Sequence, residues 1–130
     1  MTQEKDYLDL ADRVEAAKGP DRELDLRVAM AVLPGWDYPL DDAAVAFHTK
    51  YGGQPAYTAS LDAAMTLVPE GARIAALAQE IGTPRWLVKL GNADRPGGLP
   101  TCAGATPALA LTAACLRAHA SRVGDRRGGE

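Results

Sequence analysis

The sequence predicts a single α+β domain in which helices pack on both faces of a small antiparallel sheet. Three observations lead there. Residues 57–69, YTASLDAAMTLVP, carry a helix start, an apolar stripe and a stop; WLVKL at 86–90 reads as a strand closed by turn residues; and Thr106-Pro107 opens an alanine-rich helix. A chain of 130 residues with 47% apolar content can build one modest core and has no room for a second domain. Residues 1–120 form that domain, and the tail SRVGDRRGGE, 121–130, has so little to bury that disorder is expected.

The first helix is expected over 6–18. Tyr7, Leu10, Ala11 and Val14 recur at i, i+3, i+4 and i+7, which puts them on one face, and Gly19-Pro20 stops the helix. Asp21 then caps a second helix over 22–33, with Glu23 and Arg27 as a favourable i, i+4 pair. Leu24, Val28, Ala31 and Val32 form one stripe, and Leu26, Met30 and Leu33 form part of another. Such a helix is either central to the monomer or offers its second stripe to another subunit.

Pro34-Gly35 begins a less regular region. Within it VAFHTKY alternates Val45, Phe47, Thr49 and Tyr51 with Ala46, His48 and Lys50, the period of a half-buried strand, while Asp41-Asp42-Ala43-Ala44 alternatively fits a helical turn. In 57–69, Thr58 or Ser60 serves as N-cap, Asp62 lies near the positive end, and Leu61, Ala64, Met65 and Val68 make the buried stripe. The rest of the chain is expected to pack around this helix. Residues 72–80, ARIAALAQE, favour helix by propensity and the first arm of a hairpin by position, with Gly82-Thr83-Pro84 as the turn. Gly91-Asn92 closes the WLVKL strand, and 92–104 is a loop long enough for a lid or rim. In the last helix Thr106 is the cap and Pro107 the first residue, where a missing N–H costs nothing. Leu109, Ala113, Leu116 and Ala120 mark its face, beside Leu111, Cys115 and Ala118, and its end is expected near His119.

The formal net charge of −3 argues against general nucleic-acid binding, which needs an excess of Lys and Arg. That total hides an asymmetry: residues 1–70 hold 6 Lys and Arg against 13 Asp and Glu, and residues 71–130 hold 8 against 4. The two halves suit internal attraction, head-to-tail pairing of copies, or a cationic patch for an anion. Cys102 and Cys115 lack zinc-ligand spacing and read as small apolar residues in a reducing compartment. The N-terminus, MTQEKDYLDLADR, lacks the apolar run of a signal peptide, and no apolar run reaches the roughly 18 residues of a membrane span. A cytoplasmic location is expected, with no membrane partner.

Three segments in order, YTASLDAAMTLVP, WLVKL and ATPALALTAACLRAHA, resemble the small phage and prophage proteins grouped as the phage ABA sandwich domain, over roughly residues 56–120. The resemblance implies an α-β-α sandwich with a small antiparallel sheet between helices, which favours a strand at 72–80. It also implies phage origin, and so the cytoplasm of a host cell, without implying a defined enzymatic activity.

No nucleophile motif surrounds Cys102, Cys115, His48 or His119, and neither GxxxxGK[ST] nor GxGxxG is present. Asp37, Asp41 and Asp42 cluster near Trp36 and Tyr38, without EF-hand spacing. Neither a catalytic residue, a metal site nor a cofactor is assigned. A binding constellation remains: Arg73, Arg85, Lys89 and Arg95 for charge, Tyr57 or Trp86 for stacking, and Thr58, Ser60 or Thr106 for hydrogen bonds at helix starts. Because strand residues alternate, Trp86 is expected to face away from Arg85. The function expected from this is non-catalytic binding by a phage accessory protein, which sequesters a small anionic molecule such as a defence-signalling nucleotide, as a homo-oligomer. The alternative is inhibition of a host enzyme through the acidic half, with Asp37, Asp41 and Asp42 imitating phosphates.

Overall fold

The computed structural model describes residues 2–32, 56–69, 71–92 and 101–128. The expected strand at 45–51, the acidic cluster at 37–42, Arg95 and most of the 92–104 loop lie outside them. The fold is α+β. Helix α1 (Thr2–Ala16) and helix α2 (Arg22–Val32) are followed by the short α3 (Leu61–Met65), strands β1 (Ala72–Gln79), β2 (Trp86–Asn92) and β3 (Cys102–Gly104), and the long α4 (Pro107–Gly128). The strands form an antiparallel sheet in the order β1-β2-β3.

Helix α4, and not the 57–69 segment, is the central element: α1, α3, β2 and β3 all pack against it. Every residue from Ala108 to Leu116 is buried, and Ala118 and Ala120 with them. A helix buried on all sides needs thin side chains so that neighbours can approach, and its alanines supply that. Its start is as the sequence predicts: the Thr106 hydroxyl accepts from the Leu109 N–H at 3.1 Å, with Pro107 at the first position. Its end is not: helical backbone continues past His119 to Gly128, through residues 121–128 of the tail expected to be disordered. Extending an anchored helix adds one hydrogen bond per residue without a new nucleus, so the tail needs no apolar face to be helical.

Helix α1 packs on α4 through the predicted stripe, with Tyr7, Leu10, Ala11 and Val14 all buried. Asp21 caps α2, its carboxylate accepting from the N–H groups of Glu23 and Leu24. Leu24, Leu26, Val28 and Ala29 are buried within the chain, and Met30, Ala31 and Val32 are partly buried against the same core.

The 57–69 segment departs most from its expected form. Ser60, not Thr58, is the N-cap, accepting from the Ala63 N–H at 3.2 Å, and α3 has only 5 residues before the backbone turns. The helical stripe therefore breaks: Met65 is 50% exposed, while Leu67, outside the predicted stripe, is buried.

Residues 72–79 are a strand despite their alanines, since pairing with β2 overrides propensity. The hairpin turns at Gly82, whose φ of +86° favours glycine. Between Ile74 and Ala76 the register shifts by one, leaving Ala75 as a bulge. The pairing sorts the side chains into two faces. Ile74, Leu77, Trp86, Val88, Leu90, Cys102 and Gly104 share one; Arg73, Ala76, Ala78, Arg85, Leu87, Lys89, Gly91 and Ala103 share the other. Helix α4 covers the first face, where Val88, Leu90 and Cys102 are buried. There Gly104 approaches so closely that a Cβ would lie 2.6 Å from the Ala110 nitrogen. A helix layer was expected on the second face as well; beside α4 on β2 and β3, α1 contacts the sheet at β3.

Candidate functional site

The sheet's second face gathers three of the expected cations. Arg73 and Arg85 are exposed and Lys89 is half-buried. They share a face because Arg85 and Lys89 are four residues apart on β2 and its approach, while Arg73 pairs with Gly91, two residues beyond Lys89. The Arg73 side chain lies over Gly91, with Cγ and Nε each 4.0 Å from where a Cβ would stand. Gly91 thus leaves room for the guanidinium to lie flat across the strand.

Five cations on the helices differ in one respect. Lys5 pairs with Asp9, Arg13 and Arg27 with Glu23, Arg22 with Asp25, and Arg117 with Asp12 and Glu15. Arg73, Arg85 and Lys89 form no ion pair with any described residue. Five of the thirteen acidic residues of 1–70 pair with helical cations, and three of the eight cations of 71–130 stand on one sheet face.

The remaining expected site residues serve the fold. Tyr57 is 3% exposed, with its carbonyl accepting from Thr112 Oγ1 at 3.0 Å. Thr58 is also buried: its N–H and its hydroxyl both donate to Asp25 Oδ1, at 2.7 and 2.8 Å, and the hydroxyl accepts from the Asp21 N–H at 2.8 Å. Ser60 and Thr106 hydroxyls cap their own helices. Trp86 lies half-buried on the core side of the sheet, as the alternation predicts, away from the three cations. Tyr57, Trp86 and Thr58 are therefore not placed to meet a ligand on the cationic face, and neither are the Ser60 and Thr106 hydroxyls.

Several consequential residues escaped the sequence reading. Asp25 is fully buried and, through Thr58, fastens the 57–69 segment to α2. The one available signal was a carboxylate set between Leu24 and Leu26 in a helix apolar on two sides. Glu15 and Arg117 pair across α1 and α4, and a Glu15 oxygen also accepts from the Ala103 N–H of β3 at 3.4 Å. Burial opposes the charge of Arg117, but hydrogen bonds to Glu15 and Asp12 override it and raise the pKa of the guanidinium.

Neither cysteine is a poised nucleophile. Burial, followed by the nearby Glu15 charge, pushes Cys102 up to about 11; burial and the neighbouring Cys102 push Cys115 up to about 12. His119 sets its Nε2–H on the Leu67 carbonyl at 2.9 Å and stacks on Tyr7. Among the described residues no three His, Cys, Asp or Glu side chains gather as a metal site requires. Nor is any described helix long and apolar enough to cross a membrane. A groove of about 440 Å³ between α1 and α2 is lined by Asp6, Asp9, Arg13, Arg27 and Met30, but its arginines and Asp9 already hold ion pairs.

No protein-family model, curated protein or solved structure matches this chain.

Proposed function

We propose that this protein binds a small polyanion of nucleotide type on the cationic face of its sheet and acts by holding it. One observation carries the reading: Arg73, Arg85 and Lys89 stand on one face without an ion pair to any described residue, Glu80 on that face accepting from Thr83 instead, while Lys5, Arg13, Arg22, Arg27 and Arg117 are paired. Cations left without partners on a flat surface attract phosphate, and arginine forks give it directional hydrogen bonds. With Trp86 on the opposite face, recognition rests on charge more than on base stacking, so binding should weaken steeply with salt. Buried, protonated thiols and a histidine engaged by Leu67 and Tyr7 favour retention of the ligand over its conversion. The resemblance of residues 56–120 to phage proteins adds that the ligand is a defence-signalling nucleotide in a host cell.

Calorimetric titration with a panel of mono-, di-, tri- and cyclic oligonucleotides, and with pyrophosphate, tests this. Saturable binding to phosphate-rich members is expected. The pair R85E and K89E should weaken it by roughly tenfold or more, because two charge-assisted hydrogen bonds to phosphate give way to repulsion. Absence of binding across the panel at low salt, or binding indifferent to R85E/K89E, overturns the proposal.

A further inference from the structure

The two edges of the sheet are treated differently by the chain. At β3 the edge is occupied: α1 lies against it and Glu15 accepts from the Ala103 N–H. At β1 no described segment covers the edge. Residues 75–79 are all exposed, and no described backbone group bonds to their outer side. Beyond the hairpin end Ile81 is 99% exposed, and Leu77 in mid-strand is 37% exposed. Edge strands are ordinarily blunted by lysine, proline or a covering element, because their free N–H and C=O groups accept another strand. Within β1 there is neither lysine nor proline.

We infer that the β1 edge pairs antiparallel with the β1 edge of a second copy, about a two-fold axis at Leu77. The register follows from the hydrogen-bond phase. The Glu80 N–H donates to the Arg85 carbonyl at 2.8 Å, so Glu80, Ala78 and Ala76 direct their backbone groups to β2. Leu77 and Gln79 therefore direct theirs outward. Across the bulge at Ala75 the phase resets, and Ile74 points its groups outward as well. A strand offering groups at 74, 77 and 79 matches its own reverse when Leu77 meets Leu77 and Ile74 meets Gln79. The bulge makes this possible, because it moves Ile74 onto the same face as Gln79.

Charge selects the same register. With Leu77 on the axis, Arg73 of each copy stands opposite Glu80 of the other, and both belong to the same sheet face. Moving the axis to Ala78 sets Arg73 opposite Gly82, and moving it to Ala76 sets it opposite Ala78; neither offers it a carboxylate. The axis also joins the exposed Leu77 side chains and brings Ile81 beside Ala72 of the second copy. Two sheets of three strands become one of six, with both cationic faces on the same side. This pairing goes beyond the ligand reading and does not depend on it.

Sedimentation velocity across the micromolar range tests the inference on the full chain. The wild type should shift from monomer to dimer with concentration. R73E sets two glutamates opposite each other at both ends, E80R sets two arginines, and each should raise the dimer dissociation constant roughly tenfold. The double variant R73E/E80R exchanges the charges and should recover the wild-type value, which rules out misfolding as the cause of the single losses. L77R should abolish the dimer. A wild type that stays monomeric at the highest concentration, or a dimer unmoved by R73E, E80R and L77R, overturns the inference. Phosphate-ligand binding by a strictly monomeric protein overturns it while leaving the ligand reading standing.

Discussion

Replacing Asp25 by alanine should cost more stability than any other single substitution at a charged position in the described helices. The carboxylate accepts from the Thr58 N–H at 2.7 Å, from the Thr58 hydroxyl at 2.8 Å and from Arg22 at 2.9 Å, with Asp25 and Thr58 both essentially excluded from solvent. Alanine leaves two buried donors without an acceptor at about 1–3 kcal/mol each, so allowing for partial relaxation a loss of about 3 kcal/mol is expected. With a urea m-value of about 1.5 kcal/mol/M, the midpoint should fall by about 2 M. D25N keeps one oxygen for both Thr58 donors but gives up the contact with Arg22 and turns an amide NH2 toward it; the Arg22 side chain is 58% exposed and can swing into solvent, which limits the loss to about 1 kcal/mol. T58V removes the hydroxyl but not the N–H and should fall between them, at about 1–2 kcal/mol. Urea unfolding followed by far-ultraviolet circular dichroism measures all three. If D25A lies within about 1 kcal/mol of the wild type, or D25N is as damaging as D25A, the reasoning from orphaned donors is wrong.

Three further outcomes are expected. In G104A a Cβ would lie 2.6 Å from the Ala110 nitrogen and 3.0 Å from two other backbone atoms of α4, so the strand must retreat by several tenths of an ångström; thermal or urea unfolding should show a loss of about 2–3 kcal/mol. Both thiols have folded pKa values raised above the ordinary 9, to about 11 and about 12, because the buried neutral form is favoured. Their contribution to stability is complete below pH 9 and is lost as pH rises through those values, so unfolding midpoints should decline above pH 9 and the decline should flatten in the C102A/C115A variant. The folded protein should also resist thiol reagents at about pH 8 until urea exposes the cysteines. R117A should lower stability by about 1–2 kcal/mol, since it frees Glu15 and Asp12 where α1 meets α4, while R117K recovers part of the loss.

The helix starts were legible because capping is local. Asp21 and Thr106 act within three residues of themselves, and the i, i+3, i+4 stripe of α1 is buried as read. What failed to show was set by partners distant in sequence. Thr58 resembles an N-cap as well as Ser60 does, and only Asp25, 33 positions earlier, diverts it. Residues 72–79 carry helix-favouring alanines, and their strand form comes from seven paired positions on β2. The bulge at Ala75 has no marker such as glycine, so the sequence did not reveal which side chains of β1 share a face. At the candidate site, alternation correctly separated Trp86 from Arg85, and that same rule could have united Arg85 with Lys89. Adding Arg73 to them required the register.

Glu15 has a consequence that reaches beyond stability. Its carboxylate holds both Arg117 and the Ala103 amide, so α1 occupies the β3 margin of the sheet. On the pairing inferred above, β1 is then the one margin among the described strands through which the sheet grows. Growth through a single margin, made symmetrically, exhausts itself at the first addition, so it ends in a closed pair and does not propagate as a fibre. A substitution at Glu15 that uncovered β3 would give every molecule two adhesive margins and turn a finite assembly into an open-ended one.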